Sequence, residues 1–142
     1  MKKIYYLLFV VTVFLGACKK EDTSETKGSL TAKIDLYDSA TKKWSGGKDF
    51  TATSVVTIKT GNDYAITAKD ASNATFTLVI KNVTGVGKYN TVSSTLVQGG
   101  TTLTATAGQA DITTATSNSV AGTFIFEDTS WSVYNGKVDA SF

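Results

Sequence analysis

From Ser29 to the end of the chain, apolar and polar side chains alternate with a period of two, and no stretch carries the three-to-four spacing of a long helix. In "LTAKIDL" Leu30, Ala32, Ile34 and Leu36 share one face, and Thr31, Lys33 and Asp35 take the other. "TFTLVIK" repeats the pattern with Phe76, Leu78 and Ile80, and "GTFIFED" with Phe124 and Phe126. Between these runs lie the turn-forming clusters "DSATKK", "TGND", "DASN", "TGVG", "QGG", "TSNS" and "NG". Asn135-Gly136 is the clearest of them. Both residues tolerate positive φ, so the pair predicts a tight type I′ hairpin joining "WSVY" to "KVDASF".

Runs this closely spaced leave no room for parallel crossovers, which take a dozen or more residues. The expected fold is therefore all-β: a single antiparallel β-sandwich or closed β-barrel of about nine or ten short strands, occupying residues 29–142. Composition agrees. Thr occurs 24 times and suits a pleated, half-exposed surface, and with Pro absent every strand residue keeps its backbone donor. The last strand, with Val138, Ala140 and a terminal Phe142, faintly resembles the closing strand of an outer-membrane barrel. Bilayer-crossing strands need roughly 9 to 11 residues and an apolar outer face, whereas these runs read as shorter and carry Thr and Lys on their second face.

The first 28 residues do not belong to this pattern. Lys2 and Lys3 precede an apolar stretch from Ile4 to Leu15, followed by the small residues Gly16 and Ala17. That is the layout of a secretory signal, and it is too short for the roughly 20 apolar residues of a membrane-spanning helix. The segment "LGAC" resembles the lipobox of bacterial lipoproteins. The resemblance implies cleavage after Ala17, with residues 1–17 as signal peptide, and lipidation of Cys18, the only cysteine of the chain, as its membrane anchor. Residues 19–28, "KKEDTSETKG", are polar throughout and read as a flexible tether spanning roughly 17 Å. Lys19 and Lys20 followed by Glu21 and Asp22 resemble the surface-export signal of Bacteroidota lipoproteins, which implies an outer-membrane protein exposed at the cell surface.

Losing the signal changes the charge. The chain has 14 Lys, no Arg and 12 acidic residues, and without Lys2 and Lys3 the side chains balance at 12 against 12. A neutral chain without Arg offers no electrostatic support for nucleic-acid binding.

Chemistry is sparse. With no His, imidazole bases, Ser-His-Asp triads and most zinc or iron sites are excluded, and no cofactor or metal is expected. "GVGK" at 85–88 lacks the phosphate-loop spacing. Asp63, Asp70, Asp111, Glu127, Asp128 and Asp139 include the carboxylates a glycosidase would need, but most fall in or beside turns, where Asp caps backbone. The expectation is a protein that is not an enzyme.

Trp44, Trp131 and Tyr134 lie in or beside turns and are the candidate ligand-contact aromatics, for a sugar or a protein; Trp131 also alternates with Val133 and reads as core. Asp38-Ser39-Ala40 matches the short pattern of Bacteroidota O-glycosylation, which makes Ser39 a candidate modification site. Taken together, "LTAKID", "DFTATSV", "ITAKD", "TFTLVI", "GVGKYN", "VAGTFIFED" and "YNGKVDASF" resemble a family of small Bacteroidota lipoproteins of uncharacterised function, with "YDSATKKWSG" as an insertion. The function expected is an envelope lipoprotein acting as a non-catalytic surface binding or interaction module. The alternatives are a structural lipoprotein without a small ligand and a lipocalin-like carrier of an apolar one.

Overall fold

The computed structural model describes residues 27–142, so the signal, Cys18 and most of the tether lie outside the described residues. Nine strands follow in order: β1 (Gly28–Asp38), β2 (Lys43–Trp44), β3 (Lys48–Thr60), β4 (Asp63–Asp70), β5 (Thr75–Ile80), β6 (Gly87–Gln98), β7 (Thr101–Ala115), β8 (Ser119–Glu127) and β9 (Trp131–Ser141). Eight of them form an antiparallel meander, β1-β3-β4-β5-β6-β7-β8-β9, and β9 pairs back onto β1 from Gly28↔Ala140 to Leu36↔Trp131. That pairing closes a barrel, so the choice left open by the alternation falls to a barrel and not a sandwich. Closure also leaves the eight strands without a free edge. Strand β2 is the ninth, a short hairpin partner of β1 alone.

The apolar face of each strand fills the interior. Leu30, Phe50, Ile66, Phe76, Leu78, Ile80, Leu96, Ile112, Phe124, Phe126 and Trp131 are all buried. Phe76 sits at the centre of an aromatic cluster, with ring centroids 5.8 Å from Phe50, 5.7 Å from Phe124 and 6.3 Å from Trp131. Each such side chain contributes about 1.5–3 kcal/mol by leaving water. The outward positions carry Lys33, Asp49, Lys69, Asp111, Lys137 and Asp139. This arrangement, apolar inside and polar outside, is the inverse of a membrane-spanning barrel. The strands are longer than the sequence runs indicate, up to 15 residues in β7, so strand length does not separate the two classes and the outer face does.

Long strands arise because bulges let the alternation change parity without ending the pairing. In β9 the inward residues are Trp131 and Val133, then Gly136, Val138 and Ala140. The switch occurs at Asn135, which has φ 53°, and the β1 register jumps there from Lys33↔Tyr134 to Thr31↔Lys137. Asn135-Gly136 is therefore a β-bulge inside one strand, and the hairpin expected there is corrected. On either side of it, residues 131–134 and 137–140 pair with β1, and residues 132, 133 and 136–141 pair with β8, which outweighs the local turn preference. The hairpin turn lies earlier, at residues 128–130, where Asp128 N donates to Trp131 O at 3.0 Å. At Gly136 the chain passes directly beneath Phe124, and Gly108 likewise faces its cross-strand partner Phe126. Glycine opposite an inward phenylalanine gives the ring its space and the sheet its bend.

The meander sorts its connections between two ends. The start of the described chain, the β3–β4, β5–β6 and β7–β8 connections and Phe142 share one end, here the tether end. The β1–β3 excursion, β4–β5, β6–β7 and β8–β9 share the far end.

Candidate functional site

The far end carries the segment that departs most from a plain meander. After β1 the chain turns through residues 39–42, adds β2 with Tyr37↔Trp44 and Asp38↔Lys43 pairing, and re-enters the barrel at Lys48. Asp38 holds the turn: Ala40 N and Thr41 N donate to its Oδ1 at 2.8 and 3.3 Å, and Thr41 Oγ1 donates to Oδ2 at 2.8 Å. The Thr41 hydroxyl and then the two amides hold the Asp38 carboxyl below its ordinary value. Ser39 is exposed in this turn, next to the carboxylate that shapes it.

A second carboxylate ties the returning chain to the barrel wall. Asp35 accepts Ser45 Oγ at 2.8 Å and Gly46 N at 3.0 Å, while Leu36 N donates to Ser45 Oγ at 3.0 Å. The Ser45 hydroxyl is the largest cause of a lowered Asp35 pKa, partly opposed by desolvation and helped by the amides of Gly47, Gly46 and Ser45. Gly46 and Gly47 both adopt positive φ, at 84° and 74°. Gly47 lies against the Tyr134 hydroxyl, where any side chain would collide with it.

On this pinned hairpin Trp44 remains 47% exposed, its ring centroid 5.3 Å from Tyr37 at an interplanar angle of 55°. Two of the three candidate aromatics thus converge on one hairpin, Trp44 on its surface and Tyr134 beneath its glycines. Trp131 does not join them. It is fully buried, packed edge-on against Phe76, and its indole Nε1 has no partner among the described residues. Trp131 is core, because Leu36↔Trp131 pairing at the barrel seam points the ring inward; its place among the ligand-contact candidates is corrected. Tyr37 and Asp35 escaped the sequence reading, since Tyr37 ends an alternating run and only the Tyr37↔Trp44 pairing reveals it. A hairpin signal was nonetheless present in "DSATKK" followed by Trp.

The other carboxylates are dispersed. Asp63 accepts Asn82 N at the tether end, Asp70 accepts Ser72 N and Ala74 N at the far end, and Asp128 accepts the Thr129 hydroxyl. Asp111 and Asp139 lie on the outer wall toward the tether end, and Glu127 closes β8 at the far end. Among the described residues no group of three or more Asp, Glu, His or Cys side chains is placed to hold a metal ion. Inside the barrel mouth, Ile34, Phe50, Ala74 and Leu96 line a recess of about 40 Å³. Pockets for drug-sized ligands measure roughly 300–1,000 Å³, so this recess admits no such molecule. A shallow hollow of about 350 Å³ lies on the outer wall beside Asn90, Gln109, Ile125 and Glu127.

Comparison with protein-family models, curated proteins and solved structures finds no match to this chain.

Proposed function

We propose that the protein is a lipid-anchored envelope lipoprotein, exposed at the cell surface, whose barrel carries a non-catalytic binding surface on the Trp44 hairpin, and that the ligand is a glycan. One observation carries the reading: a large aromatic side chain stands half in solvent on a hairpin fixed by two capped carboxylates and a supporting tyrosine. Burying Trp44 would stabilise the fold, and ordinary turn residues would close the hairpin as well. A pre-ordered ring with an open face loses little entropy when a sugar's C–H face stacks on it. Asp35, Ser45 and the hairpin backbone supply polar groups nearby for hydroxyls. The carrier alternative draws no support from an interior occupied by Phe76, Phe124, Phe126 and Trp131.

The test is electrophoresis of the soluble Cys18→Ala protein through native gels containing soluble glucans, mannans, xylans or host-type glycans. Retardation in at least one gel is expected, weakened roughly tenfold in Trp44→Ala, about 1.4 kcal/mol of lost stacking. Retardation unchanged in Trp44→Ala, or none in any gel, overturns the glycan reading.

A further inference from the structure

The two most exposed large apolar side chains of the described chain are Val86, 71% exposed, and Ile58, 62% exposed. Both lie toward the tether end of the barrel. Val86 is in the β5–β6 connection between two glycines, Gly85 and Gly87, and Ile58 is two residues before the end of β3.

The connection that carries Val86 is held firmly. Thr84 N and Gly85 N donate to the Tyr89 hydroxyl at 3.2 and 3.1 Å, and that hydroxyl donates back to Gly85 O at 2.7 Å. Val83 N donates to Asn62 O at 2.8 Å with its side chain buried, and Asn82 N donates to Asp63. Val86 is thus kept in solvent by a built loop, when the same bonds would serve a polar tip equally well. Lys81 and Lys88 flank it and are both exposed. Lys59, nearby, is turned to Thr116 O at 2.9 Å, and the acidic side chains toward this end are Asp63, Asp139 and Asp111, the last the cross-strand partner of Lys88.

Covalent geometry says what lies against this end. Lys27 lies nine residue steps after Cys18, at most about 32 Å of chain and roughly 17 Å for the coil expected from its composition. The barrel strands, about 11 residues long and tilted as closed barrels require, make a body roughly 25 Å tall. With Cys18 acylated, the tether end faces the bilayer, and only a nearly straight tether would let the far end reach it.

We propose that the tether end docks on the lipid surface, with Val86 and Ile58 entering the interfacial layer and Lys81 and Lys88 at the level of the lipid phosphates. One apolar tip binds weakly by itself. A short tether supplies an effective concentration in the millimolar range, which makes a weak contact persistent. Docking also fixes the barrel upright, so the Trp44 hairpin points away from the membrane. The inference rests on the lipid-anchor reading and is independent of what Trp44 binds.

Acylated Cys18 leaves no free thiol, so Val86→Cys, Ile58→Cys and Ser39→Cys each give one site for a nitroxide. The full acylated protein is reconstituted in vesicles of phosphatidylcholine and phosphatidylglycerol, and each label is challenged with oxygen and a water-soluble nickel complex. Labels at 86 and 58 favouring oxygen, with the label at 39 favouring nickel, are the expected result. Protein that floats with the vesicles while label 86 stays open to nickel overturns docking and leaves the anchor standing. Failure to float overturns both. Protection of label 86 in native envelopes but not in pure vesicles assigns the loop to a protein partner and overturns lipid docking.

Discussion

Replacing Gly136 with alanine separates a bulge inside a closed barrel from an exposed hairpin turn. A methyl group at Gly136 would sit 2.5 Å from Phe124 Cε2 and 2.6 Å from Phe124 O. The carbonyl belongs to the paired strand β8 and moves only with it. The ring is stacked 5.7 Å from Phe76 and set edge-on 6.1 Å from Phe126, so displacing it breaks two aromatic pairs. Overpacking of this kind costs about 1–3 kcal/mol, and each ring pair about 0.5–1.5 kcal/mol. A total loss of about 2–6 kcal/mol is expected for Gly136→Ala. Gly61→Ala is the control: Gly61 has φ 61° in the β3–β4 turn with nothing near its missing side chain, so alanine there costs only about 1–2 kcal/mol of backbone strain. Urea unfolding of the Cys18→Ala protein, followed by the emission of buried Trp131, measures both. A loss at Gly136 smaller than that at Gly61 would refute the bulge and restore the hairpin.

Acid should loosen the Trp44 hairpin before the barrel. The Asp35 and Asp38 pKa values are lowered in the folded state, so their stabilisation is complete above the ordinary value of 3.8 and is lost as the pH falls through the depressed values; Trp44 emission should therefore change below about pH 4, and Asp35→Asn should show that change already at neutral pH. An Asp35→Asn protein with the wild-type emission profile would dismiss the carboxylate as the hairpin's clamp. Cys18→Ala should fold normally yet leave the membrane fraction, because acyl chains at about 0.8 kcal/mol per buried CH₂ hold far more tightly than an exposed Val86; retention in membranes would overturn the lipid anchor. Intact mass of protein from its native host should exceed that of the acylated mature chain by a glycan that Ser39→Ala removes, and a mass explained by acylation alone would sink modification at Ser39.

Period-two alternation made the inward faces legible wherever a strand keeps one parity. Leu30, Ala32 and Ile34, Phe76, Leu78 and Ile80, and Phe124 with Phe126 are buried as their spacing implies. Legibility ended where parity changes. Trp131 and Val133 are odd, Val138 and Ala140 even, and the residues between them satisfy a bulge and a hairpin equally well. Local chemistry favours the turn; pairing with β8 and β1 decides for the bulge, and the β1 partners lie about a hundred positions away. Barrel closure itself is such a long-range pairing, so a sandwich stayed equally open. The candidate site was legible in part: Trp44 announces itself as an aromatic beside a turn. Its support by Asp35, Tyr37 and Tyr134 depends on register and on Gly47 passing over a hydroxyl.

The most direct measurement of the binding surface uses the two tryptophans as opposed reporters. In a ¹⁵N-labelled protein each indole N–H gives its own resonance, one from exposed Trp44 and one from buried Trp131. Oligosaccharides cut from whichever polysaccharide retards the protein should shift the Trp44 indole and the amides of Ser45 to Gly47 while the Trp131 indole stays in place. Saturating oligosaccharide that leaves the Trp44 resonance unmoved, or moves Trp131 instead, would contradict the account.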